Sequence, residues 1–177
     1  MSGLNKGTGK VEVRLRWDPS PLGSPASDLD IIAATYLASD PHGAPAYIVH
    51  FDSRAPDGTI TLNRDSTTGK GLGSDEIMTF ETDRLGDEYG WVVVGVVIQQ
   101  RGGRMVFGDV TGTGVRVVED RYTELAAEDF GGVADCTAAV IGEFVRGESG
   151  DWRFHPLMRG YDADPTTFAE TMGRARS

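Results

Sequence analysis

Val11, Val13, Leu15 and Trp17 alternate with Glu12, Arg14 and Arg16, a period of two that puts the apolar set on one face of a strand and the charges on the other. Residues 18–27 hold Pro19, Pro21, Gly23 and Pro25 and predict a loop. Extended character resumes over residues 28–37, where both alternating sets are apolar past Asp30, as expected of a central strand covered on both faces. Residues 46–51 predict a further strand. Asp57-Gly58 is a hairpin-type turn signal leading into a strand over residues 59–62. Another strand is expected over residues 76–82. Residues 91–98 are apolar on both faces and predict the middle of a sheet.

Residues 105–110 and 115–119 are expected as strands joined by a hairpin through Thr111, Gly112, Thr113 and Gly114. Residues 137–146 turn at residues 147–150 and pair back through residues 151–156. Residues 122–135 fit a strand, a helical turn or neither. Near the end, Asp164-Pro165 supplies a cap and a first helical residue, and Phe168 and Met172 share one face at i and i+4. About ten short strands with glycine turns predict an all-β fold, an antiparallel β-sandwich of two sheets with a short C-terminal helix. No repeat or linker divides the chain, so residues 1–177 are expected to form a single domain.

Composition narrows the function. A formal net charge of -10 opposes nucleic-acid binding, because a phosphate backbone would be repelled, and favours cations or basic partners. One cysteine, Cys136, excludes an internal disulfide and a thiolate cluster, and its apolar setting suggests a small packed residue. His42, His50 and His155 stand singly, without companions at zinc-ligand spacing. No apolar signal core and no run of about eighteen apolar residues is present, so a cytoplasmic protein without direct membrane insertion is expected.

The chemistry gathers in residues 63–77, a long irregular stretch between two predicted strands. Gly69, Gly71 and Gly73 let the backbone curl, bringing Asp65 at one end towards Asp75 and Glu76 at the other. Carboxylates with free backbone carbonyls are the oxygen ligands calcium takes. Asp28 and Asp30, two apart on a strand and so on one side of it, would repel each other without a cation or donors and form a second piece of the cage. The alternative is a solvated connection, since turns hold the same residue types. A helix-loop-helix calcium site is excluded, because Lys70 falls where that loop needs glycine and the flanks read as strands.

Enzyme signatures are absent from the sequence. There is no Gly-x-Ser-x-Gly elbow, Gly7-Thr8-Gly9-Lys10 lacks phosphate-loop spacing, and the Gly69 to Gly73 series does not open a helix. A hydrolase using Asp28, Asp30 and Glu76 is a minor alternative.

Taken in order, Trp17-Asp18, Asp28-Leu29-Asp30, Pro56-Asp57-Gly58, Asp65 through Glu76, Gly142 to Arg146 and Trp152-Arg153-Phe154 with Gly160-Tyr161 resemble the TerD-domain tellurium-resistance family. The resemblance implies a calcium-binding β-sandwich, commonly with two ions, in a bacterial stress system and without clear enzymatic activity. Expected partners are other tellurium-resistance proteins and a membrane-associated complex. Carried over by position, the implied ligands are Asp28, Asp30, Asp65, Asp75 and Glu76, with carbonyls around Gly69, Gly71 and Gly73. The chain departs from the family's Gly-Asp-Asn-x-x-Gly-x-Gly-Asp-x-Asp-Asp-Glu pattern at Arg64, Ser66, Leu72 and Ser74. Fewer carboxylates imply one ion rather than two, or affinity toward the roughly 10⁻⁴ M end of calcium sites. The rival is a metal-free interaction module of the same fold, with Arg64 and Lys70 as internal counter-charges.

Overall fold

The structure, a computed structural model, describes residues 9–64, 74–100 and 103–173, with the side chain of Arg64 left aside. Its strands run β1 (Lys10–Arg16), β2 (Leu29–Leu37), β3 (Tyr47–Val49), β4 (Ile60–Arg64), β5 (Glu76–Glu81), β6 (Tyr89–Ile98), β7 (Gly114–Glu119), β8 (Thr123–Asp129), β9 (Ala138–Arg146) and β10 (Trp152–Tyr161), followed by helix α1 (Pro165–Thr171). They form two five-stranded sheets, β4-β5-β1-β7-β8 (sheet I) and β10-β9-β6-β2-β3 (sheet II). The pairings between named strands are antiparallel. This is the expected all-β sandwich with a short C-terminal helix.

The period of two decides which side chains meet between the sheets. Val11, Val13 and Leu15 of β1, Met78 and Phe80 of β5, and Leu29, Ile31 and Ala33 of β2 share one core with Val92, Val94 and Val96 of β6. The other parity of sheet II, Ile32, Ala34, Tyr36, Val93 and Val97, is covered by Phe168, Ala169 and Met172 of α1. This second layer is why β2 and β6 are apolar on both faces. Gly95 makes room for the helix, since a Cβ there would lie 2.6 Å from Cε2 and Cζ of Phe168. Asp164 caps α1 by accepting from Thr167 N–H at 2.8 Å, with Pro165 in the first turn. Among the described residues no element covers the outer face of sheet I.

Two expectations needed correction. Asp57-Gly58 does not make a hairpin: β3 pairs with β2 and β4 with β5, so the turn carries the chain from one sheet to the other. Asp57 is still the turn former, its Oδ1 accepting from Thr59 N–H at 3.0 Å and Thr59 Oγ1 at 2.7 Å. Residues 105–110 are not a strand. Phe107–Asp109 forms a 3₁₀ turn, because Phe107 and Gly108 donate their N–H groups to the carbonyls of Cys136 and Ala134, and Phe107 stacks on Phe130 at 4.6 Å. Residues 111–114 therefore lead from that turn into β7 and join no pair of strands. The undecided stretch, residues 122–135, contains both β8, a largely exposed free edge of sheet I, and a 3₁₀ turn at Gly131–Val133.

Candidate metal centre

Strand polarity brings the acidic positions to one rim. β1 ends where β5 begins, with Leu15 opposite Glu76, and β2 begins where β6 ends, with Leu29 opposite Ile98. Asp28, Asp30, Asp75 and Glu76 are consequently at the same end of the sandwich, and all are buried, with exposures of 3%, 2%, 1% and 0%. Buried carboxylates need strong donors or a cation close by.

Several donors are built in. Asp75 Oδ2 accepts from the N–H of Trp17 at 2.8 Å, while Trp17 Nε1 donates to the Ser27 carbonyl at 2.9 Å and so ties the proline-rich loop to the rim. Glu76 Oε1 accepts from Ile31 N–H at 2.6 Å. That bond crosses between the sheets, and it is available because β3 pairs with β2 only at Ala33, Ala34 and Thr35. Asp30 Oδ2 accepts from Gln99 Nε2 at 2.6 Å. Gln99 is invisible as a partner in the sequence, because only the β2–β6 register sets it beside Asp30.

Asp75 Oδ1 is buried and has no hydrogen-bond partner. A buried carboxylate oxygen in that state is what a hard cation satisfies, and the donor set is all oxygen, which suits calcium rather than zinc. The residues present therefore fit a calcium ion. Among the described residues, though, no three His, Cys, Asp or Glu side chains converge on one point. Alternation explains this: Asp30 shares the outer face of β2 with Ile32 and Ala34, whereas Glu76 shares the inner face of β5 with Met78 and Phe80. Asp65, Gly69, Gly71 and Gly73 lie outside the described residues.

The sequence matches the TerD domain over residues 1–171. The chain belongs to the TerD family. It is 33% identical to the tellurium resistance protein TerD of Serratia marcescens over 85% of this chain and 80% of that protein. Identity to the protein of the same name from an Alcaligenes species is 31%, with the same coverage. A crystal structure of a homologue of the telluride resistance protein TerD, from Streptomyces coelicolor A3(2), superposes with a TM-score of 0.91 at 52% identity, covering 94% of this chain and 98% of that one. A crystal structure of a protein of unknown function superposes at 0.92 with 61% identity, over 95% and 98%. Within this TerD domain Trp17 and Gln99 are the positioning residues around the acids, one through its backbone and one through its side chain. No described helix is long and apolar enough to cross a membrane.

Proposed function

We propose that this TerD domain binds calcium at the acidic rim and acts, without catalysis, in a cytoplasmic stress response of the tellurium-resistance type. The observation that carries the reading is the buried, unbonded Oδ1 of Asp75 in a rim with Asp28, Asp30 and Glu76. Asp75 and Glu76 would hold the ion on the sheet I side, Asp28, just ahead of β2, would face it from sheet II, and Asp30, on the outer face of β2, would act on it only through its charge. The ion supplies positive charge that removes the mutual repulsion of the carboxylates. Residues 63–77 then gain a fixed anchor, and the rim becomes a surface for other tellurium-resistance proteins in a membrane-associated complex.

The experiment is a calcium titration by calorimetry on chelator-stripped protein, with a thermal melt at each end point. The expected result is a saturable heat and a rise in Tm, since a ligand that binds only the folded state stabilises it. Glu76→Ala should abolish both, and Asp30→Ala should weaken them. A flat titration to millimolar calcium refutes the reading.

A second reading, a metal-free interaction module, is favoured by the neutral donors already present. Trp17 N–H, Ile31 N–H and Gln99 Nε2 each hold one carboxylate oxygen at 2.6–2.8 Å. In that case chelator and calcium should give the same melting curve.

A further inference from the structure

Beside Asp75 the rim opens into a groove of about 680 Å³ bordered by Arg14, Arg16, Asp18, Arg116, Glu128 and Asp129. The register sets Arg14 of β1 directly opposite Arg116 of β7, and alternation puts Arg16 on the same outer face. Like charges directly opposite on neighbouring strands destabilise a sheet. The acids nearby relieve this only in part. Arg14 spends Nε and Nη2 on a single oxygen, Glu12 Oε1, at 2.9 and 2.6 Å. Arg116 uses only Nε, on Glu124 Oε1 at 2.8 Å. Arg16 reaches Asp18 Oδ1 no closer than 3.5 Å. Among the described residues Arg14 Nη1 and both Nη groups of Arg116 have no acceptor, and guanidinium groups so arranged suit the paired oxygens of an oxyanion.

The carboxylates of the same groove decide when such an anion could enter. Asp18, Asp75, Glu128 and Asp129 outnumber the three arginines, so the groove alone is net negative and repels an anion. Glu12 and Glu124, already bonded to Arg14 and Arg116, add to that negative charge, and one divalent cation on Asp75 Oδ1 cancels two of these charges beside the free Nη groups. We infer that this groove is a cation-dependent oxyanion site, in which Arg14 and Arg116 hold a small doubly charged oxyanion, a phosphate monoester or an oxyanion of similar size and charge, once a divalent ion occupies Asp75. The inference rests on the calcium reading above and adds to it a ligand that neither the acids nor the arginines could take alone.

The test titrates the full chain with glycerol 3-phosphate, and separately with potassium tellurite, by calorimetry in calcium and in chelator, after the calcium heat itself has been recorded. At least one oxyanion is expected to bind saturably in calcium and at least tenfold more weakly in chelator. The pair Arg14→Gln and Arg116→Gln should weaken it at least tenfold with the calcium heat unchanged. Glu128→Gln, which removes an acid without breaking a described bond, should tighten it and lessen its dependence on calcium, an outcome misfolding does not produce. Arg153→Gln, on sheet II, is the control. A normal calcium heat with no oxyanion binding, equal binding in calcium and chelator, or an equal loss in Arg153→Gln overturns the inference. Absence of the calcium heat is a failure of the metal reading instead, and is seen before any oxyanion is added.

Discussion

Asp75→Asn separates a cation ligand from an ordinary buried hydrogen-bond acceptor. The side-chain carbonyl of asparagine can keep the 2.8 Å contact with Trp17 N–H, leaving the amide where the unbonded Oδ1 now lies. Without metal, the change removes an ionised oxygen that nothing compensates. Relief of about 1 kcal/mol is expected, because an uncompensated buried polar group costs roughly 1–3 kcal/mol and the amide recovers part of it. For a domain of this size that is a rise in Tm of about 2–4 °C in chelator. In calcium that advantage disappears. With Kd about 10⁻⁴ M and 10 mM calcium, the wild type gains about 2.7 kcal/mol, or roughly 5–11 °C. A tenfold loss of affinity in the variant, worth about 1.4 kcal/mol, halves that gain. Differential scanning calorimetry in chelator and in calcium reads both numbers. A variant that melts lower than wild type in chelator and gains the same increment in calcium would refute the assignment of Asp75 Oδ1 to a cation.

Three further outcomes test the scaffold. Gly95→Ala should cost about 1–3 kcal/mol by driving a Cβ into Phe168, and Phe168→Ala about 3–5 kcal/mol. Urea denaturation should show the double variant less destabilised than the sum by at least about 1 kcal/mol, while additivity would mean that α1 does not dock in the Gly95 notch. The Asp164 carboxyl is held below its ordinary value of 3.8, first by the Thr167 N–H and then by the Thr167 hydroxyl. A lowered carboxyl contributes stability above its unfolded value and loses it as pH falls through the folded one, so amide exchange in Pro165–Thr171 should rise below about pH 4, and Asp164→Ala should abolish that dependence. Arg146 Nη2 donates to the carbonyls of Leu85 and Gly86 at 3.0 and 2.8 Å, and its guanidinium carbon lies 4.7 Å from the Trp152 ring centroid. Arg146→Ala should therefore cost about 2–3 kcal/mol by denaturant titration, whereas Asp87→Ala, which removes only its exposed partner, should stay within about 0.5 kcal/mol.

The sandwich was readable in the sequence because its signals are local. Alternation in β1, double-sided apolarity in β2 and β6, and the Asp164-Pro165 cap each depend on neighbours a few residues apart. The acids were readable for the same reason, as Asp28 with Asp30 and Asp75 with Glu76. What failed was non-local. Asp57-Gly58 specifies a turn but not whether the following strand returns to the same sheet, and the strand expected over residues 105–110 gave way to a turn held by carbonyls supplied from residues 134–136. The donors around the acids were equally hidden, since Trp17 N–H and Ile31 N–H are backbone groups and Gln99 meets Asp30 from 69 residues away. That Asp30 falls on the outer face of β2 and Glu76 on the inner face of β5 was open to inspection in the parity of each strand. It acquired meaning only when the topology had said which face of each sheet was inside.

The free edge at β8 has a consequence for how this protein survives at high concentration. Thr123–Asp129 is an open backbone ladder, the kind of edge on which a second copy could grow a continuous ribbon. Antiparallel pairing of β8 with itself about Ala126 would set Glu124 against Glu128 on both sides of the centre and Thr123 against Asp129. Like charges meet at every such join, and sliding the register by one residue turns the strand's faces over. The edge thus refuses its own kind through ionisation rather than shape. Its protection is electrostatic, so added salt, which screens exposed charges, weakens it while leaving the packing of the core as it is.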